Sequence, residues 1–114
     1  MVIENYSFGR IVIDKKTYHS DVIIFPDGRI KDSWWRETGH RLSERDIEDL
    51  IDTHPDIIIA GTGASGLMIP KKDLKELLSQ KGIEFRAVPT KKACKLFNEL
   101  FGKKKVGACF HLTC

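Results

Sequence analysis

The stretch that decides the fold is Asp56-Ile57-Ile58-Ile59-Ala60-Gly61-Thr62-Gly63-Ala64-Ser65-Gly66-Leu67-Met68-Ile69-Pro70. Ile57–Ala60 is an unbroken apolar run bounded by turn residues. That pattern belongs to a strand covered on both faces, inside an α/β sheet. In such sheets a ligand crevice lies beyond the carboxyl ends of the strands, where the glycine loop Gly61–Gly66 falls. Pro70 suits the first residue of a helix.

Outward from this stretch the period switches between two and 3.6. Upstream, Ser43 and Asp46 form a capping box with Asp in place of Glu or Gln, and Leu42 and Ile47 sit where a hydrophobic staple would. Ile47, Leu50 and Ile51 share one helical face, and Pro55 stops that helix. Downstream, Leu74, Leu77 and Leu78 form a buried stripe closed by Gly82 as a left-handed stop. Ile83–Val88 alternates as a strand. Thr90 caps a third helix with the stripe Ala93, Leu96, Phe97, Leu100 and Phe101, ended by Gly102, and Val106–Leu112 is the last strand. Nearer the start, Arg10–Asp14 and Val22–Phe25, the latter ended by Pro26-Asp27-Gly28, read as a meander of antiparallel strands. This order requires layers: a sheet with helices on its faces and the early hairpin strands packed outside. Right-handed crossovers make Ile57–Ala60 and Ile83–Val88 parallel neighbours.

The 114 residues bound one domain, and 41% hydrophobic with 31% charged residues excludes a disordered or fibrous chain. A net charge of +3 is too small to argue for nucleic acid. The charge is unevenly placed, with six acids in Glu44–Asp56 and six lysines in Lys91–Lys105. Solvated helix faces and a polar turn are the preferred reading of both clusters, with an acidic or anionic partner as the alternative. Three cysteines without a CxxC pair argue for a reducing compartment, and no targeting or membrane-spanning run is present, so the cytoplasm is expected.

Gly61, Gly63 and Gly66 formally satisfy the dinucleotide fingerprint, but its helix must start inside the motif, and Pro70 puts the start beyond it. The acid expected after the next strand is absent, since that strand ends Val88-Pro89. There is no GK[ST], hence no P-loop. Two readings remain: a tight strand-to-loop turn, or a backbone nest for a small anion. Trp34-Trp35-Arg36-Glu37-Thr38-Gly39-His40 allows Arg36 to grip an anion, with Glu37 or His40 moving protons. It equally allows an indole lid and an Arg–Glu surface pair. Cys109, His111 and Cys114 supply too few ligands at uneven spacing for a structural zinc, so no metal is expected. Cys94 beside Lys91 and Lys95 is read as a packed thiol.

Trp35-Arg36-Glu37-Thr38-Gly39, the strand followed by Gly61-Thr62-Gly63, and the ending Gly107-Ala108-Cys109-Phe110-His111-Leu112-Thr113-Cys114 carry a resemblance over nearly the whole chain. The chain resembles the Mth-type small-domain proteins of unknown function. It is most similar to their adipogenesis-associated branch and more distantly to the third-type mitochondrial complex I assembly factors. Matching positions are Trp35, Arg36, Glu37, Gly61, Gly63, Ser65, Thr90, Asn98, His111 and Cys114. Thr62 departs from the adipogenesis-associated pattern and fits the assembly-factor one, which lacks the Phe-His-x-Thr-Cys ending. The resemblance implies a three-layer α/β fold: a β-plus-helix layer, a mixed central sheet and helices behind, with the last strand antiparallel to the rest. It implies no catalytic residue and no cofactor.

The sequence therefore points to a non-enzymatic cytoplasmic binding or assembly module. Its anion-compatible pocket would lie at Gly61–Gly66, lined by Arg36, Glu37, Gly61, Thr62, Gly63, Ser65 and His111. The partner is a protein or a small anionic ligand rather than nucleic acid or membrane, and a homodimer is admitted. On this reading Arg36→Ala weakens binding with the melting temperature nearly unmoved. The alternative is a small hydrolase or transferase using Ser65 or a cysteine with His111 or His40. Nucleic-acid binding through the lysines of 91–105 is the weakest reading.

Overall fold

The computed structural model describes residues 1–114. It opens with three strands, β1 (Ile3–Ser7), β2 (Arg10–Ile13) and β3 (Lys16–Tyr18), which form a separate antiparallel sheet in that order. The β2–β3 reversal places Asp14 and Lys15 at φ +48° and +69°, the geometry of a two-residue type I′ hairpin turn. β1 carries no apolar alternation, because only Ile3 of its residues is buried.

β4 (Val22–Ile24) and β5 (Ile30–Lys31) pair antiparallel across the Pro26-Asp27-Gly28 turn, where the Asp27 carboxylate accepts the Arg29 amide at 3.0 Å. After β6 (Arg41–Leu42), a 3-10 turn over Glu44–Ile47 runs into α1 (Glu48–Ile51). Asp46 Oδ2 reaches back to the Ser43 amide at 2.8 Å, so the shortened acid still serves the box. Then come β7 (Ile57–Thr62), β8 (Ile69–Pro70), α2 (Leu74–Gln80), β9 (Glu84–Val88), α3 (Thr90–Leu100) and β10 (Val106–His111).

Two local expectations are corrected. Pro70 does not start a helix: it lies in β8, parallel to β6, and α2 has Asp73 at its N-cap. Ile69 donates to the His40 carbonyl and Lys71 to the Leu42 carbonyl, both at 2.8 Å, so the missing Pro70 N–H falls between ladder bonds and costs none. Thr90 is the first residue of α3 rather than its cap, and its hydroxyl is used elsewhere.

The central sheet has the order β5-β4-β10-β7-β9. β7 is buried along its whole length and runs parallel to β9, as the crossover rule required. The last strand is also a correction. β10 inserts between β4 and β7, parallel to β7 and antiparallel to β4 alone. The reason is its connection: α3 carries the chain back across the sheet, and a helical crossover joins strands of the same direction.

The two sheet faces bury separate cores. Ile58, Ala60 and Cys109 pack with Leu50, Ile51, Leu74 and Leu78, which places α1 and α2 on one side. Ile57, Ile59, Ala108 and Phe110 pack with Ala93 and Phe97 of α3 and with Ile3, Ile11 and Ile13 of the N-terminal sheet. The result is three layers, with a mixed sheet between helices and a β-plus-helix layer. Gly107 permits the approach of α1, since a Cβ there would lie 2.5 Å from Leu50 Cδ1.

Candidate functional site

Because β10 adjoins β4, the residue that ends one strand faces the residue that precedes the other. Phe110 pairs with Val22, and the next step outward brings His111 to Asp21. His111 Nδ1 lies 2.7 Å from Asp21 Oδ2, and Arg36 Nη1 donates to the same oxygen at 2.7 Å. Asp21 Oδ1 accepts the Leu112 amide at 2.8 Å. Arg36 Nε donates to the Gly39 carbonyl at 2.9 Å, and its guanidinium carbon sits 4.9 Å from the Trp34 ring centroid. Trp34 is itself fixed by its indole N–H on the Asp46 carbonyl at 2.8 Å. The Arg36 and His111 side chains are each 7% exposed, so these are interior contacts.

Burial of the Asp21 carboxyl pushes its pKa up. The hydrogen bonds from His111, Arg36 and the Leu112 amide outweigh that and hold it below the ordinary carboxylate value. The ionised carboxylate only accepts, so His111 Nδ1 must carry the proton it donates. Arg36 Nη2 lies 3.1 Å from the same nitrogen, but both atoms are donors, and this contact is proximity rather than a bond. In its neutral form a ring so held presents a lone pair at Nε2. That atom is buried and has no hydrogen-bonding partner in the protein.

Beside His111 in the parallel register stands Thr62, on the same sheet face. The glycine loop after it is closed by the chain itself. Gly63 donates to Thr90 Oγ1 at 2.8 Å, while that hydroxyl donates to the His111 carbonyl at 2.6 Å. Ala64 donates to the Thr113 carbonyl at 2.7 Å, Leu67 to the Cys114 carbonyl at 2.9 Å, and Gly66 to the Gly63 carbonyl at 3.3 Å. Of the amides from Gly63 to Leu67, that of Ser65 alone has no protein acceptor. Gly61 packs against Phe110 and Thr90, since a Cβ there would lie 2.9 Å from each.

The structure thus brings Arg36, Thr62 and His111 together around Asp21 or beside it. Glu37 is exposed, and its amide donates to Asp46 Oδ1 at 3.0 Å; Ser65 is exposed. Arg36 pairs with Asp21 rather than Glu37, with Nη1 on that carboxylate and Nε on the Gly39 carbonyl. Removing it leaves Asp21 buried without its cation, so the expectation that Arg36→Ala spares the melting temperature is reversed. Asp21 itself is the residue that sequence reasoning missed. It lies 90 positions from His111 in an undistinguished loop, and only the β4–β10 pairing reveals it.

His40 is exposed, its ring edge-on to His111 with centroids 6.0 Å apart. No group of three or more His, Cys, Asp or Glu is placed to hold a metal. Burial pushes the Cys94 and Cys109 thiols up to about 12, whereas Cys114 is exposed. A thiol-reactive disulfide reagent should therefore modify Cys114 in the native protein and all three cysteines in denaturant. Rapid native modification of Cys94 or Cys109 would contradict this packing.

A mixed-sheet α/β domain with an Asp–His–Arg cluster at the carboxyl end of its central strands is thereby defined. The chain belongs to the family described as "Protein of unknown function (DUF498/DUF598)", whose profile matches residues 3–111. Among solved structures it is similar to a conserved hypothetical protein from Pyrococcus horikoshii, at 35% identity with 100% of both chains covered and a TM-score of 0.90. A Bartonella henselae protein described as an outer membrane protein shares 24% identity, with 98% of this chain and 94% of that chain covered and a TM-score of 0.80. A Bordetella pertussis protein described as a Mth938-like domain shares 14% identity, with 97% of this chain and 85% of that chain covered and a TM-score of 0.69. The last two likenesses show the fold alone. No helix of the chain is long and apolar enough to cross a membrane.

Proposed function

We propose that the chain is a non-enzymatic, cytoplasmic binding or assembly module whose contact point lies at the carboxyl ends of β7 and β10. The observation that carries this reading is His111 Nε2, a buried polar atom with no partner, on a ring whose other nitrogen is fixed by Asp21. An unsatisfied buried acceptor costs about 1–3 kcal/mol, and a bound group recovers that cost. The neutral ring takes a hydrogen-bond donor; the doubly protonated ring takes a carboxylate or another anion. Thr62 lies alongside, and Gly61 and Gly63 set the loop.

The surroundings favour a protein partner. Trp35, next to Arg36, is 84% exposed, and Phe8, Leu67 and Ile69 are also exposed. Gly9, Leu67 and Ile69 are tied by backbone hydrogen bonds to Leu112, Cys114 and His40, which puts the segments carrying Phe8, Leu67 and Ile69 next to the His111 end of the sheet. Exposed tryptophan and clustered apolar residues are what binding surfaces use. Within the family, the Trp35–Gly39 run and the Phe110–Cys114 ending support kinship with the adipogenesis-associated branch.

The hydrolase or transferase alternative gains nothing from the geometry, because no hydroxyl or thiol meets His111 Nε2 and two of the three thiols are buried. The binding reading is tested by amide spectra during titration with acetate and with N-acetyl-leucinamide. Shifts should gather at Thr62, Ser65 and Leu112 and vanish in folded His111→Phe. Shifts scattered over the surface, or unchanged in the variant, would contradict it.

A further inference from the structure

At the end of the central sheet opposite β5, β9 pairs with β7 and with nothing on its other side. Glu84 donates to the Asp56 carbonyl at 3.0 Å, which fixes the phase of the parallel ladder. Glu84, Arg86 and Val88 therefore turn their backbone groups toward β7, while Phe85 and Ala87 turn theirs outward. Phe85 and Ala87 also line a concavity of about 360 Å³ with Lys71, Lys72, Lys75 and Arg86. Its lining has three lysines and no carboxylate; Arg86 pairs with Ile59, so its side chain leaves on the opposite, α3 face of the sheet. A strand edge whose outward amides and carbonyls have no backbone partner thus runs along a cationic trough on the α2 side of the sheet, exposed at Ala87 and mostly covered at Phe85, which is 4% exposed.

We propose that β9 takes an extended acidic segment of a partner protein as an added strand, separately from the His111 site. The outward backbone groups of Phe85 and Ala87 would pair with the incoming backbone. Alternate side chains of that segment, facing the α2 side, would set their carboxylates among Lys71, Lys72 and Lys75. Main-chain pairing supplies affinity in this mode, and the pockets along the edge supply selection. Charge complementarity names the occupant: a basic or neutral strand would leave three like charges crowded along the trough. Lysines beside an edge also discourage self-pairing, so the same residues that admit an acidic strand repel a second β9.

The test is a titration of the full chain with a peptide of alternating Glu and Val, against one of alternating Lys and Val, read by amide exchange and by fluorescence anisotropy. The acidic peptide should bind and slow exchange at Phe85 and Ala87. Its affinity should fall with added salt and drop about tenfold or more in Lys72→Glu/Lys75→Glu at unchanged melting temperature. The Lys–Val peptide should not bind. Four results would overturn the proposal: no binding of the acidic peptide, which would leave the lysines as guards of the edge; binding that leaves Phe85 and Ala87 exchange unaltered; equal affinity in the double variant; or a free chain already dimeric with both amides protected. None of them bears on His111, whose reading stands or falls by its own titration.

Discussion

Asp21→Asn should lower the free energy of unfolding at neutral pH by about 3–5 kcal/mol, the cost of removing one partner from a buried ion pair. Asp21 Oδ2 serves Arg36 and His111 together at 2.7 Å each, and Oδ1 serves the Leu112 amide at 2.8 Å. An amide has one acceptor oxygen, so its NH2 would face either the Leu112 N–H or the Arg36 and His111 donors together. Arg36, 7% exposed, would be left without a counter-charge. The effect is pH-dependent with a definite sign. The folded pKa of Asp21 is depressed, so its stabilisation is present above the unfolded value near 4 and lost as pH falls through the folded value. Urea unfolding should therefore show the gap between wild type and Asp21→Asn closing below about pH 4. A gap constant down to pH 2, or none at pH 7, would mean that the carboxylate is not the anchor of the cluster.

Gly63→Ala should cost about 2–4 kcal/mol, combining backbone strain with lost hydrogen bonds. Gly63 has φ +106°, a conformation that side chains rarely adopt. A Cβ there would overlap the Cys114 carbonyl carbon and lie 2.6 Å from the Cys114 oxygen and 2.8 Å from the Thr113 oxygen. Backbone on that side cannot swing away as a side chain would, so residues 113 and 114 must leave the loop. The amides of Ala64 and Leu67, which donate to those two carbonyls, should then exchange freely. Gly66→Ala is the control. Its φ of +70° is also left-handed, but the nearest atom to a Cβ is 3.6 Å away. Only the intrinsic left-handed cost of about 1 kcal/mol should appear there. Equal losses in the two variants would show that crowding against the final residues plays no part.

The layers were legible because their signals are local. The apolar run Ile57–Ala60 could only be covered on both faces, and it became the fully buried β7. Gly82 and Gly102 closed their helices in the left-handed conformation, at φ +76° and +88°. Pro70 misled because the dihedral that suits a first helical turn also suits an edge strand, and the choice between them rests on the carbonyls of His40 and Leu42. Thr90 misled for the same kind of reason. Its hydroxyl would serve a cap, yet Gly63 and the His111 carbonyl come within reach only after β7, α3 and β10 have packed. Arg36 and His111 stood out in the sequence by chemistry, but the residue that joins them did not. An aspartate ahead of a short strand becomes an anchor only when a strand from the other end of the chain is laid against it.

The decisive measurement is a long-range proton–nitrogen correlation spectrum of the histidine rings in the native protein above pH 7. His111 should show Nδ1 protonated and Nε2 bearing the free pair, and in Asp21→Asn that tautomer preference should be lost. A ring protonated at Nε2 in the wild type would contradict the account, for the buried nitrogen would then be a donor and Asp21 would not be holding the ring.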